Sequence, residues 1–116
     1  MKIRIVTADR SLIAVLEGSA SGRAFAALLP LELTLSDYNR TEKIADLPQR
    51  LSTEDAPEGV EPKAGDIAYY APWGNLAIFY RDFGYSRGLV RLGRLEGSAE
   101  PLAKLDGARV RIELIP

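Results

Sequence analysis

Residues Gly65 to Leu95 read G-D-I-A-Y-Y-A-P-W-G-N-L-A-I-F-Y-R-D-F-G-Y-S-R-G-L-V-R-L-G-R-L, and they carry the single Trp and four of the five Tyr of the chain. Ile67, Tyr69 and Ala71 fall on one side of an extended segment, with Ala68 and Tyr70 on the other. Pro72-Trp73-Gly74-Asn75 has turn chemistry: Pro presets its φ, and Gly and Asn tolerate the left-handed region. Leu76 to Tyr80 is apolar at every position, the pattern of a strand covered on both faces. Asp82-Phe83-Gly84-Tyr85 turns again, and Leu89 to Leu95 returns. The stretch predicts three consecutive strands joined by tight turns.

The flanks extend this sheet. Ile3 and Ile5 alternate with Lys2 and Arg4, the period of a half-buried strand. Ser11 to Glu17 is apolar on both faces and predicts a central strand in a hairpin with the first. Ser19 or Ser21 can cap a short helix whose stripe is Phe25, Leu28 and Leu29; Pro30 ends it, because the residue before a proline avoids helical geometry. Leu31, Leu33 and Leu35 alternate with Glu32, Thr34 and Ser36 as a further strand. Tyr38 to Leu51 lacks a clean period, with a short strand expected around Glu42-Lys43-Ile44. Ser52 to Gly65 holds Pro57, Gly59, Pro62 and Gly65 and reads as a solvated loop. One helical turn is expected at Pro101 to Leu105. Val110, Ile112 and Leu114 alternate with Arg109, Arg111 and Glu113, matching the first strand, so the two terminal strands are expected to pair. Many short strands with one or two short helices predict a mainly β chain closed into a small barrel, a single domain over residues 1–116.

Composition limits the chemistry. The chain has 116 residues, no His and no Cys. There is no imidazole base, no thiolate nucleophile and no disulfide; a metal would need oxygen ligands alone, and no metal or cofactor is expected. With 15 basic and 16 acidic residues interspersed, nothing in the charge favours nucleic acid or anionic lipid. No apolar run is long enough to span a bilayer, and without an export signal the expected location is cytoplasmic. The glycines form neither a dinucleotide fingerprint nor a P-loop. For acid–base work the carboxylates to weigh are Asp66 and Asp82, which flank the central hairpin, and Glu54-Asp55 in the loop.

The phrase D-Y-N-R-T-E-K-I-A-D-L-P (Asp37 to Pro48), followed by G-D-I-A-Y-Y-A-P-W-G-N-L-A-I-F-Y, resembles a family of small bacterial cyclophilin-like proteins. The resemblance spans nearly the whole chain and implies a reduced cyclophilin barrel. Gly88 to Gly97 is similar to the segment before the last cyclophilin helix. The F-H-R of the isomerases is absent, since Leu31-Glu32-Leu33-Thr34-Leu35 has no Arg, and their Q-G-G-D loop is absent too.

The leading expectation is a non-catalytic or weakly catalytic module binding a peptide or small molecule. No catalytic residue is assigned. Trp73, Phe83 and Tyr85, in turns, are the expected contacts, because Trp and Tyr join large apolar area to a polar tip. Arg40 and Asn75 are the expected donors, with Tyr38 and Asn39 beside them. One alternative is a prolyl isomerase in which Arg40, Arg81 or Arg87 supplies the cation that stabilises the twisted amide. Another is a structural or subunit-interaction module. The oligomeric state is not legible in the sequence.

Overall fold

A computed structural model describes residues 1–116. In chain order the elements are β1 (Lys2–Val6), β2 (Ser11–Leu16), α1 (Ala20–Ala26), β3 (Leu31–Tyr38), β4 (Glu42–Asp46), β5 (Gly59–Val60), β6 (Asp66–Tyr70), β7 (Asn75–Phe79), β8 (Ser86–Arg87), β9 (Leu89–Leu95), α2 (Glu100–Ala103) and β10 (Ala108–Leu114). Eight strands close into a barrel in the order β1-β10-β3-β4-β7-β6-β9-β2, and β5 and β8 form a separate two-stranded ribbon. All of the pairings are antiparallel. The chain ends meet as expected, with Ile3 opposite Leu114 and Ile5 opposite Ile112.

Eight strands leave an interior that side chains can fill. Ile3, Ile5, Leu35, Leu76, Ile78, Leu92 and Ile112 fill it, joined by Phe25 from α1 and Leu102 from α2. The Ser19 hydroxyl caps α1 by accepting the Gly22 N–H at 3.1 Å. So short a helix is marginal alone; its fixed point is Phe25, which is fully buried. Tyr69 also enters the core, and its hydroxyl accepts the Leu51 N–H at 3.2 Å.

Two expectations change. β2 is not covered on both faces: Val15 remains exposed. Nor is Ser52 to Gly65 entirely solvated loop. Gly59 and Val60 pair with Arg87 and Ser86, and a two-residue strand leaves no periodicity to read. A β-bulge interrupts β9, since Ile67 pairs with Gly93 while Ala68 pairs with Arg91. The extra residue lets Leu92 and Leu95 both reach the core, three positions apart. Gly93 is required there, because a Cβ would stand 2.1 Å from the Val15 carbonyl oxygen.

Lys43 follows the inward parity of β4, and its side chain is 3% exposed. Its ammonium contacts the Asp37 carboxylate at 3.1 Å, donates to the Leu105 carbonyl and lies 5.3 Å from the centre of the Tyr80 ring. The Tyr80 hydroxyl donates to the same Asp37 oxygen. That hydrogen bond, helped by Lys43, holds the Asp37 carboxyl below the usual carboxylate range. Burial and the same bond push the Tyr80 phenol up to about 12.

Removing a buried ion's partner costs more than replacing the ion by an apolar isostere. Asp37→Asn is therefore expected to lower stability by about 3 kcal/mol at neutral pH, and Lys43→Met by about 1 kcal/mol or less. Urea midpoints check both. The Asp37 contribution is complete above its unfolded value of 3.8 and is lost as pH falls through the depressed folded value, so Asp37→Asn also blunts acid unfolding.

Candidate functional site

The register of five strands lays out a patch on the outside of the barrel. On that face Tyr38 lies opposite Glu42 and Glu42 opposite Phe79. In the next row Ile44, Ala77 and Ala68 are in register, and in the third Asp46, Asn75, Tyr70 and Leu89. Ala68, Ala77, Phe79 and Leu89 form a second apolar cluster separate from the barrel core, with Ile44, Val60 and Tyr70 packed against it. β7 is thus buried at every residue. Leu76 and Ile78 face the interior while Asn75, Ala77 and Phe79 face outward.

The β5–β8 ribbon leans over this outer patch. Its fit is close: a Cβ on Gly59 would lie 2.4 Å from the Ser86 carbonyl oxygen and 2.9 Å from the Tyr85 ring. On another side the β3–β4 turn rises. Asn39 and Arg40 have φ of 56° and 52°, the sign a type I′ turn needs at both central residues, and the Thr41 N–H closes it on the Tyr38 carbonyl at 3.1 Å. The Pro72–Asn75 turn supplies Trp73. Its ring meets Tyr70 at 5.3 Å and Tyr38 at 5.8 Å between centroids, each at 84°. Edge-to-face contacts of this kind suit the aromatic quadrupole, and here Trp73 stands perpendicular to both Tyr rings.

Between these parts lies an open cavity of about 390 Å³, near the lower end of the small-ligand range. Tyr38, Asn39, Trp73, Asn75 and Phe83, five of the residues singled out in the sequence, line it. Arg40 and Tyr85 lie outside the lining. The Arg40 N–H donates to Asp37 Oδ2 at 3.1 Å, and Tyr85 packs over Gly59. Of the arginines weighed as isomerase donors, Arg87 lines the cavity, with its guanidinium on Glu58 at 2.8 Å. Arg81 lies over the Tyr80 ring.

The sequence reading missed Glu42, Ile44, Tyr70, Phe79, Ser86 and Leu89, which complete the wall. Alternation along Glu42 to Asp46, once paired with β7, was the signal that could have found Glu42 and Ile44. Asp66 and Asp82 are committed elsewhere. Asp66 is buried and binds Arg94 at 2.7 Å and Arg91 at 3.1 Å, and Asp82 accepts the Ala64 N–H at 2.9 Å.

Asn75 and Glu42 each leave an acceptor on the cavity wall without a partner. The Asn75 side chain donates to the Leu76 carbonyl at 3.0 Å, which fixes the amide orientation, while its Oδ1 is buried with no hydrogen-bond partner. Asn75 thus leaves an acceptor unpartnered at the cavity wall, beside an amide NH2 that uses one of its two donors on Leu76. Glu42 makes no side-chain hydrogen bond or ion pair. Burial, reinforced by the Asp37 carboxylate on the neighbouring strand, pushes its carboxyl up to about 7.

A carboxyl raised on folding binds its proton more tightly in the native chain. Stability is then greatest below the unfolded value of 4.5, declines as pH rises toward about 7 and levels off above it. In a chain without His or Cys, no other side chain ordinarily titrates in that window. The urea midpoint of the protein is expected to fall between roughly pH 5 and 7.5, and Glu42→Gln is expected to flatten that slope. An unchanged slope in the variant would assign it to another group.

A family model described as Cyclophilin-like family matches residues 5–113. The solution structure of a hypothetical protein from Archaeoglobus fulgidus aligns with a TM-score of 0.72 at 21% identity, covering 97% of this chain and 93% of that one. That likeness shows the fold and carries no function with it. No curated protein matches the chain.

Proposed function

The chain belongs to the cyclophilin-like family, and from that premise we propose that it is a binding module whose ligand sits in the outer-wall cavity between the β5–β8 ribbon and Trp73. The observation that carries this reading is the exposure of Tyr38, Trp73 and Phe83 around one concavity. They are three of the seven large hydrophobic side chains left exposed, and Tyr85 beside them is a fourth. Scattered exposed hydrophobics are ordinary, but clustered ones around a concave floor mark a contact surface. The lining holds neither His nor Cys, so recognition rather than covalent chemistry suits it.

A ligand that binds only the native state raises stability by an amount set by its concentration over Kd, about 2.7 kcal/mol at a hundredfold excess. Screening a metabolite and peptide panel by thermal shift, with Trp73 fluorescence as a second readout, is expected to find such a ligand. Trp73→Ala is expected to abolish the shift while moving the ligand-free midpoint little, since Trp73 is 58% exposed. Failure of every compound to move either signal counts against the module.

Proline isomerisation is the second reading, favoured by Arg87 on the cavity wall. It needs a guanidinium free to approach the prolyl nitrogen. A coupled proline-peptide assay running at the uncatalysed rate, with Arg87→Ala indistinguishable, removes it.

A further inference from the structure

We propose that the cavity selects a small organic cation bearing N–H donors on an apolar or aromatic body, an alkyl- or arylalkylammonium, with Glu42 and Asn75 as its hydrogen-bond acceptors and Tyr38, Tyr70 and Trp73 as its walls. The inference rests on the binding reading above and names the chemistry of the ligand.

Three observations converge. First, two acceptors on the cavity wall lack a donor. Asn75 Oδ1 is buried and unpartnered, with its amide orientation fixed by the bond to Leu76, and the Glu42 carboxyl has no donor. A buried acceptor without a donor costs free energy that a ligand N–H recovers. Second, Tyr38, Tyr70 and Trp73 line the cavity, with Trp73 set edge-to-face against each Tyr, and an aromatic lining attracts an ammonium group. Third, the charges around Glu42 leave its carboxylate free. Arg87 on β8 is held by Glu58 at 2.8 Å. Lys43, on the opposite face of the same strand, is held by Asp37, and Asp37 on β3 adds negative potential to Glu42. Tyr38 on β3 and Tyr70 on β6 are the phenols of the wall; Arg40 in the turn and Arg81 after β7 lie outside the lining. Positive charge entering the cavity is therefore balanced by Glu42. The volume, about 390 Å³, suits a compact amine better than a folded peptide segment.

Phenethylammonium, phenyltrimethylammonium, 2-phenylethanol and 3-phenylpropanoate separate the terms: charge with N–H, charge without N–H, neutral, and opposite charge. Titrations followed by Trp73 fluorescence and by amide shifts of the isotope-labelled protein are expected to rank them in that order at roughly pH 8, with phenethylammonium about tenfold tighter than 2-phenylethanol. Its affinity is expected to fall about tenfold between roughly pH 8 and pH 6, as Glu42 takes up its proton. The alcohol, which needs no carboxylate, should change little. Glu42→Gln should erase both the preference for the ammonium and its pH dependence while leaving the alcohol bound. Asn75→Leu should weaken phenethylammonium more than phenyltrimethylammonium, which has no N–H to lose. If the alcohol or the propanoate binds as well as phenethylammonium, the cation assignment is overturned and the cavity stands. A capped lysyl-phenylalanine peptide binding more tightly than the free amine overturns the small-molecule assignment. No binding by any probe overturns the cavity together with the inference.

Discussion

The organising constraint is that β7 is dry on both sides. A strand in a closed barrel must bury one face; β7 buries the other as well, through Ala77 and Phe79. Apolar surface on an outer wall needs cover, and cover for one strand reaches its neighbours β4 and β6. The β5–β8 ribbon, the Trp73 turn and the β3–β4 turn supply that cover incompletely. What they leave open is the cavity. Site and scaffold therefore share one strand, with Leu76 and Ile78 holding the barrel while Asn75 and Phe79 hold the pocket.

The buried polar groups divide into two kinds. Asp66 is saturated by two arginines and the Lys63 N–H, and Lys43 by Asp37 and the Leu105 carbonyl. Such networks fix geometry, because each member is satisfied where it stands. Asn75 Oδ1 is the one buried side-chain atom left without a partner, and the half-buried Glu42 shares the cavity wall with it; each such group calls for an explanation.

Much of the barrel was legible because alternation is a strong signal wherever one face meets the core. Val110, Ile112 and the pairing of the terminal strands could be read directly, as could the hairpin of β6 and β7. The turn aromatics Trp73 and Phe83 were legible for a related reason: apolar bulk in a turn has no strand to hide it. Glu42 was not. Its segment shows no clean period, and a Glu beside a Lys reads as a solvated face until the register with Tyr38 and Phe79 is known. The short β5 strand was hidden by brevity. Arg40 was singled out for its charge, but two successive left-handed residues set the direction of each side chain in a way that composition does not encode. Asn75 was found as a residue, but that its Oδ1 is buried without a partner depends on tertiary packing that composition does not encode.

The ribbon that roofs the cavity is joined by two residue pairs, whereas the barrel strands beside it hold four or five. Ser86 and Arg87 face the cavity from a ribbon that contributes no rung to the cylinder, so exchanging them alters the shape and charge seen by an incoming molecule while Val60 keeps the ribbon seated on the wall. A lineage built on this plan can diversify what it recognises by editing a few positions outside the load-carrying wall.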